Sequence, residues 1–79
     1  SGGLILDINN YYKEKENYLQ AFAKNMAQKV LDTKRPAILD PMPEFERRIV
    51  HLTIEGIDGV VSESSGEGSE RRIIIKPAN

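Results

Sequence analysis

The longest periodic stretch of the chain runs from about residue 11 to residue 32. Leu19, Phe22, Ala23, Met26 and Val30 recur at i, i+3, i+4, i+7 and i+11, and Tyr12 continues the stripe seven residues upstream. Lys13, Glu14, Glu16, Asn17, Gln20, Lys24, Gln28 and Lys29 fall elsewhere on the wheel. This spacing predicts an amphipathic helix with one core-facing stripe. Ala21, Ala23 and Ala27 add helix propensity. Ahead of it, residues 4–8 (Leu-Ile-Leu-Asp-Ile) are branched and apolar, as in a strand, and Asn9 or Asn10 is placed to cap the helix. Thr33-Lys34-Arg35-Pro36 breaks the periodicity, because Pro36 biases Arg35 toward extended backbone.

A short strand, residues 37–39, follows the break. Asp40-Pro41-Met42-Pro43 then turns the chain into a second helix that runs to about Ile54, with Gly56 as its stop. Pro43 suits the first helical position, and Glu44 and Glu46 suit the positive end of the helix dipole. At about 100° per residue, Phe45, Ile49 and Leu52 form one stripe, taken here as the core side. Arg47 and His51 then lie on the side away from the core, and Arg48 flanks the stripe. Val50 and Ile54 do not fit this phase, so either the buried face is wide or the helix ends early.

The remainder predicts a hairpin: residues 60–65 and 71–76 flank Gly66-Glu67-Gly68-Ser69, and Pro77 ends the last strand. Strand alternation puts Arg71 with Ile73 and Ile75 on the core face and Arg72 with Lys76 on the open face, where they suit edge protection and ligand contact equally. The expected architecture is α+β, a two-layer β-α-β-α-β-β arrangement. Two helices pack on one face of a small three- to four-stranded mixed sheet.

Composition narrows the chemistry. The chain has 79 residues, which suits one small domain with a thin core and no room for a separate cofactor domain. It contains no Cys and one His, so a disulfide framework is absent and a zinc site would need an unusual carboxylate set. No apolar run approaches the ~20 residues of a membrane-spanning helix. A cytoplasmic protein without cofactor or small-molecule substrate is the expectation. Lys and Arg total 11 against 12 Asp and Glu, and the pI is near 5.8. A uniformly basic nucleic-acid binder is therefore excluded, but a local basic patch is not. Residues 1–3 read as an expression scar or linker, residues 4–77 as the domain and residues 78–79 as a tail.

Arg47 and His51 stand one helical turn apart. An Arg offers a fixed fork of donors to a phosphate, and an imidazole donates from either nitrogen. Such a pair is a compact anion site, or simply two solvated side chains. His51 as a general base lacks an evident nucleophile, since Ser62, Ser64, Ser65 and Ser69 fall in or near the hairpin loop. A catalytic role is not expected.

The spacing Arg47-x-x-x-His51 resembles the defining pair of the R-three-H domain. The flanking segments strengthen the likeness: Lys34-Arg35-Pro36, Leu39-Asp40-Pro41-Met42, Glu46-Arg47-Arg48-Ile49-Val50-His51, and Gly66-Glu67-Gly68 before residues 71–77. In this order they are similar to the C-terminal domain of the bacterial Jag (SpoIIIJ-associated) RNA-binding proteins. The resemblance implies a non-catalytic module for single-stranded RNA, with single-stranded DNA not distinguished. It also implies an upstream KH domain in the full protein.

On that reading Arg47 and His51 hold phosphate, while Arg48, Lys34 and Arg35 supply flanking positive charge. Tyr11, Tyr12 and Tyr18 either stack bases or pack the first helix, and packing is favoured, with Tyr12 on the core stripe. The alternative is a protein-interaction module using the acidic surface of Glu14, Glu16, Glu63, Glu67 and Glu70. In that case Glu44–Arg48 and His51–Glu55 form helical i, i+4 pairs.

Overall fold

The computed structural model describes residues 8–79. In chain order these form α1 (Ile8–Thr33), β1 (Ala37–Ile38), α2 (Glu44–Glu55), β2 (Val60–Ser65), a single 3-10 turn (Gly68–Glu70) and β3 (Arg72–Pro77). The three described strands form one antiparallel sheet in the order β1-β3-β2. Both helices pack on one face of it, giving the expected α+β two-layer fold. The strand expected at residues 4–8 lies outside the described residues except for Ile8, which opens α1. Asn9 and Asn10 consequently sit inside the first turn rather than capping it.

α1 buries the predicted stripe through Leu19, Ala23, Ala27 and Val30, with Phe22 and Met26 packed against the same core. Tyr12 lies on the line of this stripe but is 50% exposed, because the buried core ends before it and the rings of Tyr11 and Phe45 meet it only edge-on. The helix closes on Lys34, whose φ of 63° puts a lysine in the left-handed region. Its N–H donates to the Val30 carbonyl at 2.7 Å, a left-handed helix cap of the kind that usually takes glycine.

The second helix differs from expectation in phase. Its buried residues are Val50 and Ile54, both fully enclosed, while Leu52 is 59% exposed and Phe45 40% exposed. The branched pair wins because α2 packs against both α1 and the sheet, where Ile73 and Ile75 face it from β3. Pro43 is the N-cap, one position earlier than expected, and its carbonyl accepts from the N–H groups of Glu46 and Arg47. Gly56 caps the other end with ordinary negative φ.

Two links tie the start of α2 to the middle strand. The Leu39 N–H donates to the Ile73 carbonyl at 3.0 Å, and the Met42 N–H to the Arg71 carbonyl at 3.3 Å. The chain from β1 therefore runs beside β3 before α2 begins. The hairpin register pairs Ser62 with Ile75 and Ser64 with Ile73, so both serines share the helix-facing side with the core isoleucines. Gly66 makes the turn possible: its φ is 95°, and an added Cβ would meet the Glu70 carbonyl oxygen at 2.8 Å.

The opposite sheet face is open. It carries Ile38 and Val61, both exposed, and the ion pairs Lys76–Glu63 and Arg72–Glu70. Arg72 and Lys76 stand on the central strand, so edge protection, one of their two expected roles, does not apply.

Candidate functional site

The shift in the phase of α2 decides where Arg47 and His51 go. With Val50 and Ile54 as the buried line, both residues move from the far side of the helix to the rim of its packed face. There they lean over β2 and are partly buried.

Arg47 is fixed from behind. Its Nη1 donates to the Met42 carbonyl at 2.6 Å. Met42 is flanked by Pro41 and Pro43, so the carbonyl belongs to a stretch with little backbone freedom. Among the described residues this is the one hydrogen bond seen for its guanidinium, which also lines the groove between α2 and β2. His51 is held on both nitrogens: Nδ1 lies 2.5 Å from Ser62 Oγ, and Nε2 lies 3.0 Å from Glu55 Oε2. A neutral ring donates through Nε2 to Glu55 and accepts the Ser62 hydroxyl proton, whereas a protonated ring donates to both. The His51–Glu55 pair expected from helical spacing is therefore formed.

Between α2 and β2 lies a groove of about 360 Å³ lined by Glu44, Arg47, Arg48, His51, Ser62, Ser64, Arg71 and Ile73. Three arginines face one carboxylate there, so a chain of net charge -1 carries a locally positive cleft. Arg71 reaches it from the hairpin end and donates from Nη1 to the Gly66 carbonyl at 2.6 Å. Two further open hollows adjoin the groove. One is lined by residues 41–44 with Arg47, Gly68 and Ser69, and the other by Glu44, Phe45 and Arg48.

Of the five residues singled out from sequence, the structure brings Arg47, Arg48 and His51 together. Lys34 and Arg35 are exposed in the connection to β1, at the sheet edge opposite β2, and neither lines the groove. Sequence reasoning missed Ser62, Ser64 and Arg71. Strand alternation held the signal, since Ser62 and Ser64 share parity with the buried Val60, and Arg71 with Ile73. Ser62 belongs to β2, not to the loop, and stands within hydrogen-bond reach of His51.

The chemistry offered is anion holding. Guanidinium donors, an imidazole and two hydroxyls converge on one open cleft, a combination suited to phosphate oxygens. Among the described residues no cluster of His, Asp and Glu suits a metal ion, and no helix is long and apolar enough to cross a membrane.

Residues 17–77 match the family model of the R-three-H domain. The chain is 43% identical over 70 residues to the RNA-binding protein KhpB of Clostridium symbiosum, covering 89% of this chain and 32% of that protein. It is 36% identical over 74 residues to the protein of the same name from Bacillus subtilis, covering 91% and 36%. A third relative with that name, from Streptococcus pneumoniae, is 34% identical over 72 residues, covering 91% and 22%. The chain thus spans between 22% and 36% of the length of these curated relatives. With the match extending over most of its length, the chain belongs to the R-three-H domain family.

Proposed function

We propose that this domain is a non-catalytic module that binds single-stranded nucleic acid, chiefly RNA, through the groove between α2 and β2. The observation that carries the reading is the convergence of Arg47, Arg48, His51 and Arg71 with Ser62 and Ser64 on one cleft. Arg47 presents its free N–H groups to a phosphate while Met42 holds the guanidinium in place. His51 and the serine hydroxyls complete the phosphate shell, and Arg48 and Arg71 extend the positive track. Lys34 and Arg35, on the far edge, lie outside this groove and contribute only to the overall field of the domain. The relatives named as RNA-binding proteins support the choice of ligand.

The Ser62–His51–Glu55 line does not favour hydrolysis. Glu55 is the 60% exposed partner, so it is a weak orienter for a catalytic base. Ser62 faces arginines suited to holding a bound anion. The acidic-surface alternative loses ground because Glu63 and Glu70 are already paired with Lys76 and Arg72.

The longer relatives are consistent with further domains. On the family resemblance, an upstream KH domain acts on the same RNA in a cytoplasmic protein, raising the effective concentration of this weaker site.

The test is fluorescence anisotropy with a labelled single-stranded RNA across a salt series. About three phosphate contacts predict a log–log salt slope of about -2. Salt-independent association, or no association even at low salt, contradicts the reading.

A further inference from the structure

We propose that Tyr12 and Phe45 form a base-stacking platform continuous with the phosphate groove, an inference that rests on the RNA-binding reading above. Phe45 is 40% exposed and Tyr12 is 50% exposed, although both lie where α1 meets α2. Their rings meet edge-on, with centroids 5.5 Å apart and planes at 86°. Tyr11 joins them edge-on at 5.4 Å. These contacts are perpendicular, and among the described residues no parallel ring stacks on Tyr12 or Phe45. If packing were the only role of these rings, the contact would be expected to bury them more fully than it does.

Position connects this cluster to the groove. Phe45 and Arg48 are neighbours one turn apart on α2, about 5–6 Å between Cβ atoms. Together with Glu44 they line a hollow that shares Glu44 and Arg48 with the Arg47–His51 groove. A base laid on Phe45 therefore leaves its own phosphate within reach of Arg48. Positive charge beside an apolar ring surface complements a nucleotide, with an anion at one end and a π-face at the other. Such a platform accepts unpaired bases and excludes duplex, whose bases already stack on each other. It supplies preference for single strands without reading sequence.

The experiment titrates the full chain with a single-stranded oligoadenylate and with an abasic ribose-phosphate oligomer of the same length, using wild type and a Tyr12→Leu, Phe45→Leu variant. Leucine keeps apolar contact between the helices while removing the rings. Wild type is expected to bind oligoadenylate about 5- to 100-fold more tightly than the abasic oligomer. The variant is expected to bind both alike, at the abasic level. NMR of the wild type provides a readout independent of the variant's folding: ring protons of Tyr12 and Phe45 shift upfield with oligoadenylate and not with the abasic oligomer. Equal wild-type affinity for both oligomers, or unmoved ring protons, overturns the platform and leaves the phosphate groove standing. Failure of wild type to bind either oligomer at low salt overturns the groove reading and the platform with it.

Discussion

The guanidinium of Arg47 is anchored by the carbonyl of Met42, which its Nη1 reaches at 2.6 Å. The same Met42 donates its N–H to the Arg71 carbonyl at the base of the hairpin. One residue of the connecting turn thus anchors the Arg47 side chain through its carbonyl and the hairpin backbone at Arg71 through its N–H. On the proposed reading, Arg47 is oriented before any ligand arrives, which lowers the entropic cost of capturing a phosphate.

Arg47→Lys tests this preorganisation. Lysine keeps the charge but cannot hold Met42 and face a phosphate with a planar fork at once. The expected outcome is RNA affinity reduced by about 10-fold, in line with one charge-assisted hydrogen bond. Chemical denaturation should show a stability loss of about 1–2 kcal/mol. Unchanged affinity by anisotropy contradicts the role given to the Met42 contact.

On the proposed reading, Glu55 competes with RNA for His51. It occupies Nε2 at 3.0 Å, on the exposed side of the pair. Glu55→Gln removes the competing charge and is expected to raise RNA affinity about 2- to 5-fold at low salt, an effect that fades as salt screens it. Because surface pairs of this kind contribute about 0–1 kcal/mol, the melting temperature should hardly move. Weaker binding by the variant would show that Glu55 positions His51 for the ligand instead.

The phase of α2 is open to a direct comparison. Ile54 is fully buried and Leu52 is 59% exposed. Ile54→Ala is expected to cost about 2–5 kcal/mol in urea unfolding, and Leu52→Ala no more than about 0.5 kcal/mol. Ile54→Val, at about 1 kcal/mol, keeps the comparison measurable if the alanine variant does not fold. A larger loss at Leu52 than at Ile54 would restore the stripe expected from sequence.

These residues also show how far the sequence could be read. The first helix, its stripe from Leu19 to Val30, the hairpin, and the two-layer class were legible because each rests on local periodicity. The second helix was ambiguous because it carries two apolar lines, Phe45-Ile49-Leu52 and Val50-Ile54. Only its packing against both α1 and the sheet selects the second. That choice also moves Arg47 and His51 from solvent to the groove, so the pair was legible as a motif but its partners were not. Ser62, Ser64 and Arg71 become visible only once the hairpin register sets them against α2.

Lys34 occupies a left-handed position with φ of 63°. Lys34→Gly relieves that conformation and is expected to stabilise the domain by about 0.5–1 kcal/mol. Since Lys34 stands at the sheet edge away from β2, its loss should weaken RNA binding far less than the loss of Arg47. A destabilised Lys34→Gly variant, or an affinity loss equal to that of Arg47→Ala, contradicts both points.

The most direct test of the groove is an NMR titration of the domain with a short single-stranded RNA, comparing wild type with an Arg47→Ala, His51→Ala variant. The account predicts wild-type amide shifts centred on residues 44–51, 62–64 and 71, weakening as salt rises and absent from the folded variant. Shifts that map instead to the open sheet face around Ile38, Val61 and Lys76, or that persist in the variant, would contradict it.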